Sequence, residues 1–165
     1  LPYEHAMIRN HYVGRTFIQP SQSMRNFAVR VKINPVQAMI DGKRICIVDD
    51  SIVRGTTMIT RVKKLRELGA VEVHIRISCP PVRFPCFYGI DFASPKELIA
   101  ANHTLEEMKG ILNVDSLHYL SVDGLLRSVM HSDSYCLACF TGEYPVPCKE
   151  CGKYRLEGAC GGVSS

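Results

Sequence analysis

The sequence predicts an α/β fold built on a parallel sheet flanked by helices. Residues 44–48 (Arg-Ile-Cys-Ile-Val) form a short apolar run, the segment after residue 56 has the apolar period of an amphipathic helix, and residues 71–77 alternate polar and apolar side chains. A strand, a helix and a second strand of these lengths form a right-handed crossover, which makes the two strands parallel.

Composition and charge limit the possible functions of the chain. It has 165 residues, of which 46% are hydrophobic and 22% charged, enough for one globular domain. The net charge of +4 suits an anionic substrate but is too weak to indicate nucleic-acid binding. No stretch approaches the roughly 20 apolar residues of a membrane span. We expect a cytoplasmic protein and, because the chain starts at Leu1, a fragment or a processed chain.

The N-terminal region shows no sustained period. Residues 14–35 are interpreted as a long, basic, mobile loop, because loops of this length inside compact domains are usually functional or disordered. The basic residues of this loop are Arg15, Arg25, Arg30 and Lys32.

The first strand is expected at residues 44–48 and should be buried on both faces, as in parallel sheets. Asp49 and Asp50 end it, and Thr56 or Thr57 can cap the following helix. Gly69 ends this helix. The predicted apolar face of the helix consists of Ile59, Val62, Leu65 and Leu68.

The remaining elements follow in order along the chain. Residues 71–77 form the next strand. Thr104 and Glu107 form a capping box that opens a helix to about residue 112. Residues 117–121 form a short strand and residues 122–129 a short helix. These elements belong to a domain at residues 1–130, and residues 131–165 form a Cys-rich, irregular C-terminal segment.

The turn between the first strand and its helix carries the predicted chemistry. Ligands of open α/β sheets bind outside the carboxyl ends of the strands. Backbone N–H groups near Gly55 would face a phosphate at the helix N-terminus, and Thr56 and Thr57 would add hydroxyl donors. Asp49 and Asp50 suit sugar hydroxyls or Mg²⁺. The alternative interpretation is a solvated acidic turn with threonine caps.

Four segments then resemble one enzyme family, in order along the chain. They are Tyr-Val-Gly-Arg-Thr-Phe-Ile-Gln-Pro (12–20), Asp-Asp-Ser-Ile-Val-Arg-Gly-Thr-Thr (49–57), Phe-Pro-Cys-Phe-Tyr-Gly-Ile-Asp (84–91) and Cys-Leu-Ala-Cys-Phe-Thr-Gly (136–142). The second segment resembles the motif with which type I phosphoribosyltransferases bind phosphoribosyl pyrophosphate (PRPP). Together the segments resemble the glutamine amidophosphoribosyltransferases, over residues 1–145.

The resemblance implies the C-terminal part of a type I phosphoribosyltransferase domain, incomplete at its N-terminus. The family converts PRPP, glutamine and water to phosphoribosylamine, pyrophosphate and glutamate, which begins purine synthesis. The glutaminase domain and the first strands of the phosphoribosyltransferase domain would lie outside this chain. A homo-oligomer is implied for the full-length enzyme.

The resemblance also assigns roles to individual residues. Asp49 and Asp50 would contact the ribose and Mg²⁺. The basic loop would close over PRPP, with Arg25, Arg30 and Lys32 neutralising the departing pyrophosphate. The residues implied in PRPP binding are Asp49, Asp50, Ser51, Arg54, Gly55, Thr56 and Thr57.

The eight cysteines suggest metal binding rather than disulfides. A pair such as Cys136 and Cys139 is by itself ambiguous between zinc, iron–sulfur and redox use. One family branch carries a [4Fe–4S] cluster, which implies Cys86, Cys136 and Cys139 as ligands and a fourth ligand outside this chain. The alternative is a zinc site formed by the two pairs Cys136/Cys139 and Cys148/Cys151. Cys46 and Cys79 are interpreted as small buried hydrophobic residues. A further alternative is that Cys148, Cys151 and Cys160 are ordinary tail residues.

Two other classes of function stay open at this point. A phosphoribosyltransferase fold without catalysis can sense PRPP and regulate other processes, although such a protein would not need the basic loop. A small Cys-rich metal-binding module would retain its function in residues 130–165 alone. Purine salvage phosphoribosyltransferases share the acidic motif but are not expected to carry the Cys-containing segments.

Overall fold

The computed structural model describes residues 2–9, 33–88, 90, 94–130 and 134–146. Within these ranges, strands β1 (Met7–Arg9) and β2 (Ile33–Pro35) form one small ladder. Strands β3 (Arg44–Asp49), β4 (Glu72–Ile77) and β5 (Ser116–Tyr119) form a sheet with β4 in the centre. The helices are α1 (Thr56–Glu67), α2 (Ile99–Asn102), α3 (Leu105–Leu112), α4 (Val122–Arg127) and α5 (Ala138–Thr141).

The three-stranded sheet is parallel, as the sequence predicts. Cys46 pairs with His74 and then Ser116, and one step further Ile47 pairs with Ile75 and Leu117. All three strands therefore end at the same edge, with Asp49 opposite Ile77 and Tyr119. The predicted helix-opening capping box is confirmed, because Thr104 accepts from the Glu107 N–H and Glu107 accepts from the Thr104 N–H.

Helices α1 and α3 cover one face of the sheet. The core between them contains side chains from every layer, including the fully buried Val62, Leu65, Val73 and Ile75. Burial of such aliphatic side chains is worth about 1.5–3 kcal/mol each. The predicted helical face is wrong at one position, since Met58 is buried and Ile59 is exposed.

The prediction that the first strand is buried on both faces is wrong. Ile47 is buried, but its neighbour Val48 is 72% exposed, and Cys46 is exposed rather than buried. The reason is that side chains alternate along β3, so Cys46 and Val48 lie on the face opposite to the core, and that face is exposed in the described part of the chain. A short run of Ile and Val is compatible with burial of one face of a strand or of both, so the sequence does not distinguish the two cases.

The second face of the sheet carries a network of polar side chains across all three strands. Arg44 donates to Glu72 at 2.7 Å, Glu72 contacts His74 at 2.9 Å, and His74 contacts Ser116 at 2.9 Å. The bond from Arg44 is the main reason why the pKa of Glu72 lies below its usual value.

The ladder of β1 and β2 corrects the predicted N-terminal loop. Met7 pairs with Pro35 and Arg9 with Ile33, and the Val36 N–H donates to the Ala6 carbonyl at 2.9 Å. The last residues of the expected loop are therefore a strand. Three-residue strands fixed by a distant partner leave no periodicity in the sequence. The basic candidates Arg25, Arg30 and Lys32 lie outside the described residues.

Helix α1 starts from a left-handed backbone rather than from a threonine cap. Gly55 has φ +80° and is the N-cap residue. It has no side chain that could cap the helix, and the predicted caps Thr56 and Thr57 are the first two residues of the helix itself. A Cβ atom at Gly55 would lie 2.9 Å from Cδ1 of the buried Ile99. Gly69 has φ +94° and follows the end of α1, as predicted.

The left-handed turn at Gly55 gives a stability prediction. Gly55→Ala should lower the free energy of unfolding by about 2–3 kcal/mol, because strain at positive φ adds to the contact with Ile99. Gly42→Ala is the matched control: Gly42 has φ +67°, but a Cβ atom there would meet no other atom within 4 Å, so this variant should lose only about 1–2 kcal/mol. Urea denaturation measures both.

A second-site change separates strain from contact. Ile99→Val removes the Cδ1 atom, so it should cost less in the Gly55→Ala background than in the wild type. Equal losses for Gly55→Ala and Gly42→Ala, with no coupling to Ile99, would contradict this account of the turn.

Candidate functional site

The candidate site is the loop that leaves β3 and enters α1. Asp49 is the last residue of β3, and α1 begins at Thr56. Because the strands are parallel, this loop lies at the edge where β4 and β5 also end. Sheets of this kind bind ligands at this edge.

The two adjacent acids of the loop have different surroundings. One Asp49 oxygen accepts from Arg61 of α1, and the other accepts from the Asp50 N–H at 3.2 Å. Asp50 is exposed, and its carboxylate accepts a bond from the Ser51 hydroxyl at 2.9 Å. The sequence predicts that both acids contact a ligand; of the two, Asp50 is the more accessible.

The N-terminus of α1 is open to an anion. No side chain caps it, and its first turn contains no acidic residue. The first N–H groups of a helix lack intrahelical partners and carry a partial positive charge. Thr56 and Thr57 are exposed in this first turn, so their hydroxyls lie on the solvent side. This end of the helix therefore has the free N–H groups that the predicted phosphate site requires.

A short segment before α2 holds the loop from the other side. The Ile99 N–H donates to the Val53 carbonyl at 3.0 Å, and Arg54 forms an ion pair with Glu97 at 3.3 Å. The pKa of Glu97 is lowered mainly by the Ser94 backbone N–H and further by Arg54. The charge of Arg54, one of the predicted phosphate ligands, is thus compensated by Glu97.

Two titratable side chains lie beneath the loop, and the sequence analysis assigns neither of them a chemical role. Burial raises the pKa of the Cys79 thiol to about 11, and the negative charge of Asp50 adds to this shift. The Tyr119 hydroxyl is buried and finds no hydrogen-bond partner in the described part of the chain, and burial raises its pKa. Cys79 is half-buried, close to its predicted environment.

A second cluster of chemistry-bearing residues surrounds Cys139. The N–H groups of Arg83 and Phe84 both donate to the Cys139 carbonyl at 3.0 Å, which joins the two Cys-containing segments. Tyr144 donates to the Pro85 carbonyl at 2.7 Å. Burial raises the pKa of Cys139, and the negative charges of Cys86 and Cys136 raise it further.

The three thiols do not converge on one point. Among the described residues, no group of three or more His, Cys, Asp or Glu side chains is arranged around a single metal ion. In an iron–sulfur cluster each cysteine binds a different iron, so its sulfurs are spread more widely than around one ion. Three additional cysteines, Cys148, Cys151 and Cys160, lie outside the described ranges.

Arg61 is the site residue that sequence reasoning misses. It belongs to α1, 12 residues after the acid that it contacts, and it faces the loop rather than solvent. A polar residue on an amphipathic helix predicts a solvated face, and only the packing of α1 on the sheet reveals the contact.

No helix in the described parts of the chain is long and apolar enough to cross a membrane.

Comparison with known proteins gives consistent similarities. The chain is 53% identical over 150 residues to the amidophosphoribosyltransferase of Bacillus subtilis, covering 88% of this chain and 32% of that protein. It is 54% identical over 145 residues to the Methanocaldococcus jannaschii amidophosphoribosyltransferase, with 88% and 31% covered. No protein-family model matches the chain.

A solved structure gives the same result. The B. subtilis glutamine PRPP amidotransferase complexed with ADP and GMP matches with a TM-score of 0.73 and 52% identity, covering 88% of this chain and 33% of that one. The predicted fold and resemblance are confirmed. The chain spans about a third of the length of the relatives that it matches.

Proposed function

We propose that this chain contains the PRPP-binding loop of an amidophosphoribosyltransferase. Most of the chain is homologous to a segment that makes up about one third of the length of such an enzyme. One observation carries the proposal: a single turn joins an exposed carboxylate, Asp50, to the uncapped N-terminus of α1. The acid suits the sugar end of a sugar phosphate, and the helix end suits its phosphate.

The activity that we propose for the whole protein is that of a pentosyltransferase. It would form 5-phosphoribosylamine from PRPP and glutamine-derived ammonia, the first step of purine synthesis. Release of that ammonia by a glutaminase domain and assembly into a homo-oligomer are part of this proposal. The described residues would provide the sugar-phosphate half of the site.

The 5-phosphate would bind at the start of α1. The N–H groups of Thr56 and Thr57 belong to the first turn of α1, where the helix dipole favours negative charge, and Gly55 precedes them as the N-cap residue. Gly55 lets the backbone approach the phosphate oxygens without a side chain. The hydroxyls of Thr56 and Thr57 and of Ser51 can add donors.

The reaction requires positioning more than a reactive side chain. The lone pair of ammonia forms the new bond to C1 of the ribose, the bond from C1 to pyrophosphate breaks, and pyrophosphate leaves with that electron pair. The nitrogen then releases a proton to solvent. Because C1 becomes positively charged in the transition state, fixed geometry and neutralisation of the leaving group supply most of the rate.

Magnesium fits the donor set of the loop. Asp50 offers exposed carboxylate oxygens, the hard ligands that Mg²⁺ prefers, with Asp49 directly behind it. When bound, the ion would neutralise part of the charge on pyrophosphate.

The basic residues Arg25, Arg30 and Lys32 remain candidates for a closing flap. The ladder of β1 and β2 places Arg9 beside Ile33, so the two residues that flank residues 10–32 are neighbours. A flap that closes over PRPP would exclude water, which competes with ammonia for C1.

The proposed sugar-phosphate site predicts binding by this chain. In calorimetry, PRPP with Mg²⁺ should bind saturably, and Asp49→Asn/Asp50→Asn should weaken binding at least about 100-fold, because the ribose and metal ligands are lost. Asp123→Asn is the matched control, since Asp123 is an exposed acid on α4 that pairs with Arg127.

Ribose 5-phosphate serves as a second ligand in the same experiment. It lacks the pyrophosphate, so its affinity depends on the loop and the start of α1 alone. Absence of binding for both ligands, by a chain that circular dichroism shows to be folded, would contradict the proposal for this chain.

We also propose a [4Fe–4S] cluster held by Cys86, Cys136 and Cys139. The bonds from Arg83 and Phe84 to the Cys139 carbonyl bring the two thiol-bearing segments together, which the site requires. The same bonds argue against a module formed by residues 130–165 alone. The fourth ligand would come from outside this chain.

Anaerobic reconstitution with iron and sulfide tests the cluster. The chain should take up iron and sulfide in equal amounts, and Cys136→Ser or Cys139→Ser should remove most of both. Cys46→Ser should leave the uptake unchanged, because the exposed Cys46 lies on the sheet face. Uptake of zinc without sulfide that depends on Cys136 and Cys139 but not on Cys86 would contradict the cluster and support the zinc alternative.

A further inference from the structure

The acid pair of the loop is electrostatically asymmetric. Arg61 donates from Nη1 to Oδ2 of Asp49, and the two side chains are 25% and 29% exposed. The remaining oxygen of Asp49, Oδ1, accepts from the Asp50 N–H at 3.2 Å. The Asp49 carbonyl in turn accepts from the Ser78 N–H at 3.0 Å. Asp49 is therefore held by α1, by its own loop and by the segment after β4.

Asp50 has none of these restraints. It is exposed, and its carboxylate contacts the neighbouring Ser51 hydroxyl. Among the described residues, no Lys, Arg or His forms an ion pair with it. Since Arg54 is compensated by Glu97 and Asp49 by Arg61, Asp50 is the uncompensated charge of the loop.

Arg61 is itself committed to Asp49. Its Nε is buried and finds no hydrogen-bond partner in the described ranges, so the bond to Asp49 is the one that its guanidinium makes there. A partly buried pair is screened less by solvent than a surface pair. Loss of Asp49 would leave the guanidinium without compensation, whereas loss of Asp50 would leave no cation unpaired.

We propose that Arg61 is a positioning residue, which fixes Asp49 as a structural carboxylate and leaves Asp50 as the acid that contacts the magnesium and ribose of the substrate. This inference rests on the proposed function. It goes further in two respects: it gives the two acids different roles, and it assigns a role to a helix residue outside the motif of residues 49–57.

A double-mutant cycle on unfolding tests the positioning part without any ligand. Arg61→Gln and Asp49→Asn should be coupled by at least about fivefold in the unfolding equilibrium constant, and Arg61→Gln and Asp50→Asn should be additive. Arg66→Gln is the matched control for Arg61→Gln. Arg66 lies on the same helix, pairs with Asp115 at 2.6 Å and is 26% exposed, but faces away from the loop.

Titration of the full chain with PRPP at several Mg²⁺ concentrations tests the ligand part. Asp50→Asn should weaken binding at least about tenfold and flatten its Mg²⁺ dependence, because it removes the ligand-facing oxygens. Arg61→Gln should weaken binding about three- to tenfold by releasing Asp49, with its Mg²⁺ dependence kept, and Arg61→Lys should recover part of this loss. Arg66→Gln should bind as the wild type does.

The outcomes separate the two proposals. Equal losses of binding for Asp49→Asn and Asp50→Asn, with Arg61→Gln binding normally, would overturn the division of labour. Absence of Arg61–Asp49 coupling in unfolding would overturn the positioning role. A wild-type chain that shows this coupling but binds no PRPP would refute the proposed function and the ligand role of Asp50, and would leave the pairing of Arg61 with Asp49 intact.

Discussion

The left-handed turn at Gly55 is the constraint on which the site depends. It lets the chain leave β3 and enter α1 without a capping side chain, so the helix presents free N–H groups at the edge where the strands end. The fit against Ile99 and the bond from Ile99 to Val53 fix this turn to the next part of the chain. A side chain at residue 55 would both strain the backbone and displace a buried residue.

The charges around the turn follow from this geometry. A helix end with free N–H groups attracts an anion. Two carboxylates next to it would repel that anion unless a nearby cation compensated part of their negative charge. Arg61 compensates Asp49 from the body of α1, while Glu97 compensates Arg54 from the opposite wall. The carboxylate of Asp50 stays uncompensated. In the proposed site it faces the sugar and metal end of the ligand, and the start of α1 faces the phosphate end. The same helix thus contributes to both halves of the proposed site.

Local signals in the sequence predict much of this arrangement. The strand, turn and helix around residues 44–67 follow from periodicity, and the capping box at Thr104 needs no distant contact. Features that depend on distant packing are missed: the ladder of β1 and β2, the exposed second face with Cys46, and the Arg61–Asp49 pair. A threonine next to a helix start predicts a cap, yet the backbone conformation at Gly55 decides the cap here.

Amide chemical shifts of the isotope-labelled chain test the central claim most directly. Titration with ribose 5-phosphate and Mg²⁺, compared with ribose alone, should move the amide signals of Gly55, Thr56 and Thr57 most strongly, because the phosphate binds at their N–H groups. Ribose alone should leave these signals unchanged. Shifts concentrated elsewhere, or equal shifts with ribose and with its phosphate, would contradict a phosphate site at the start of α1.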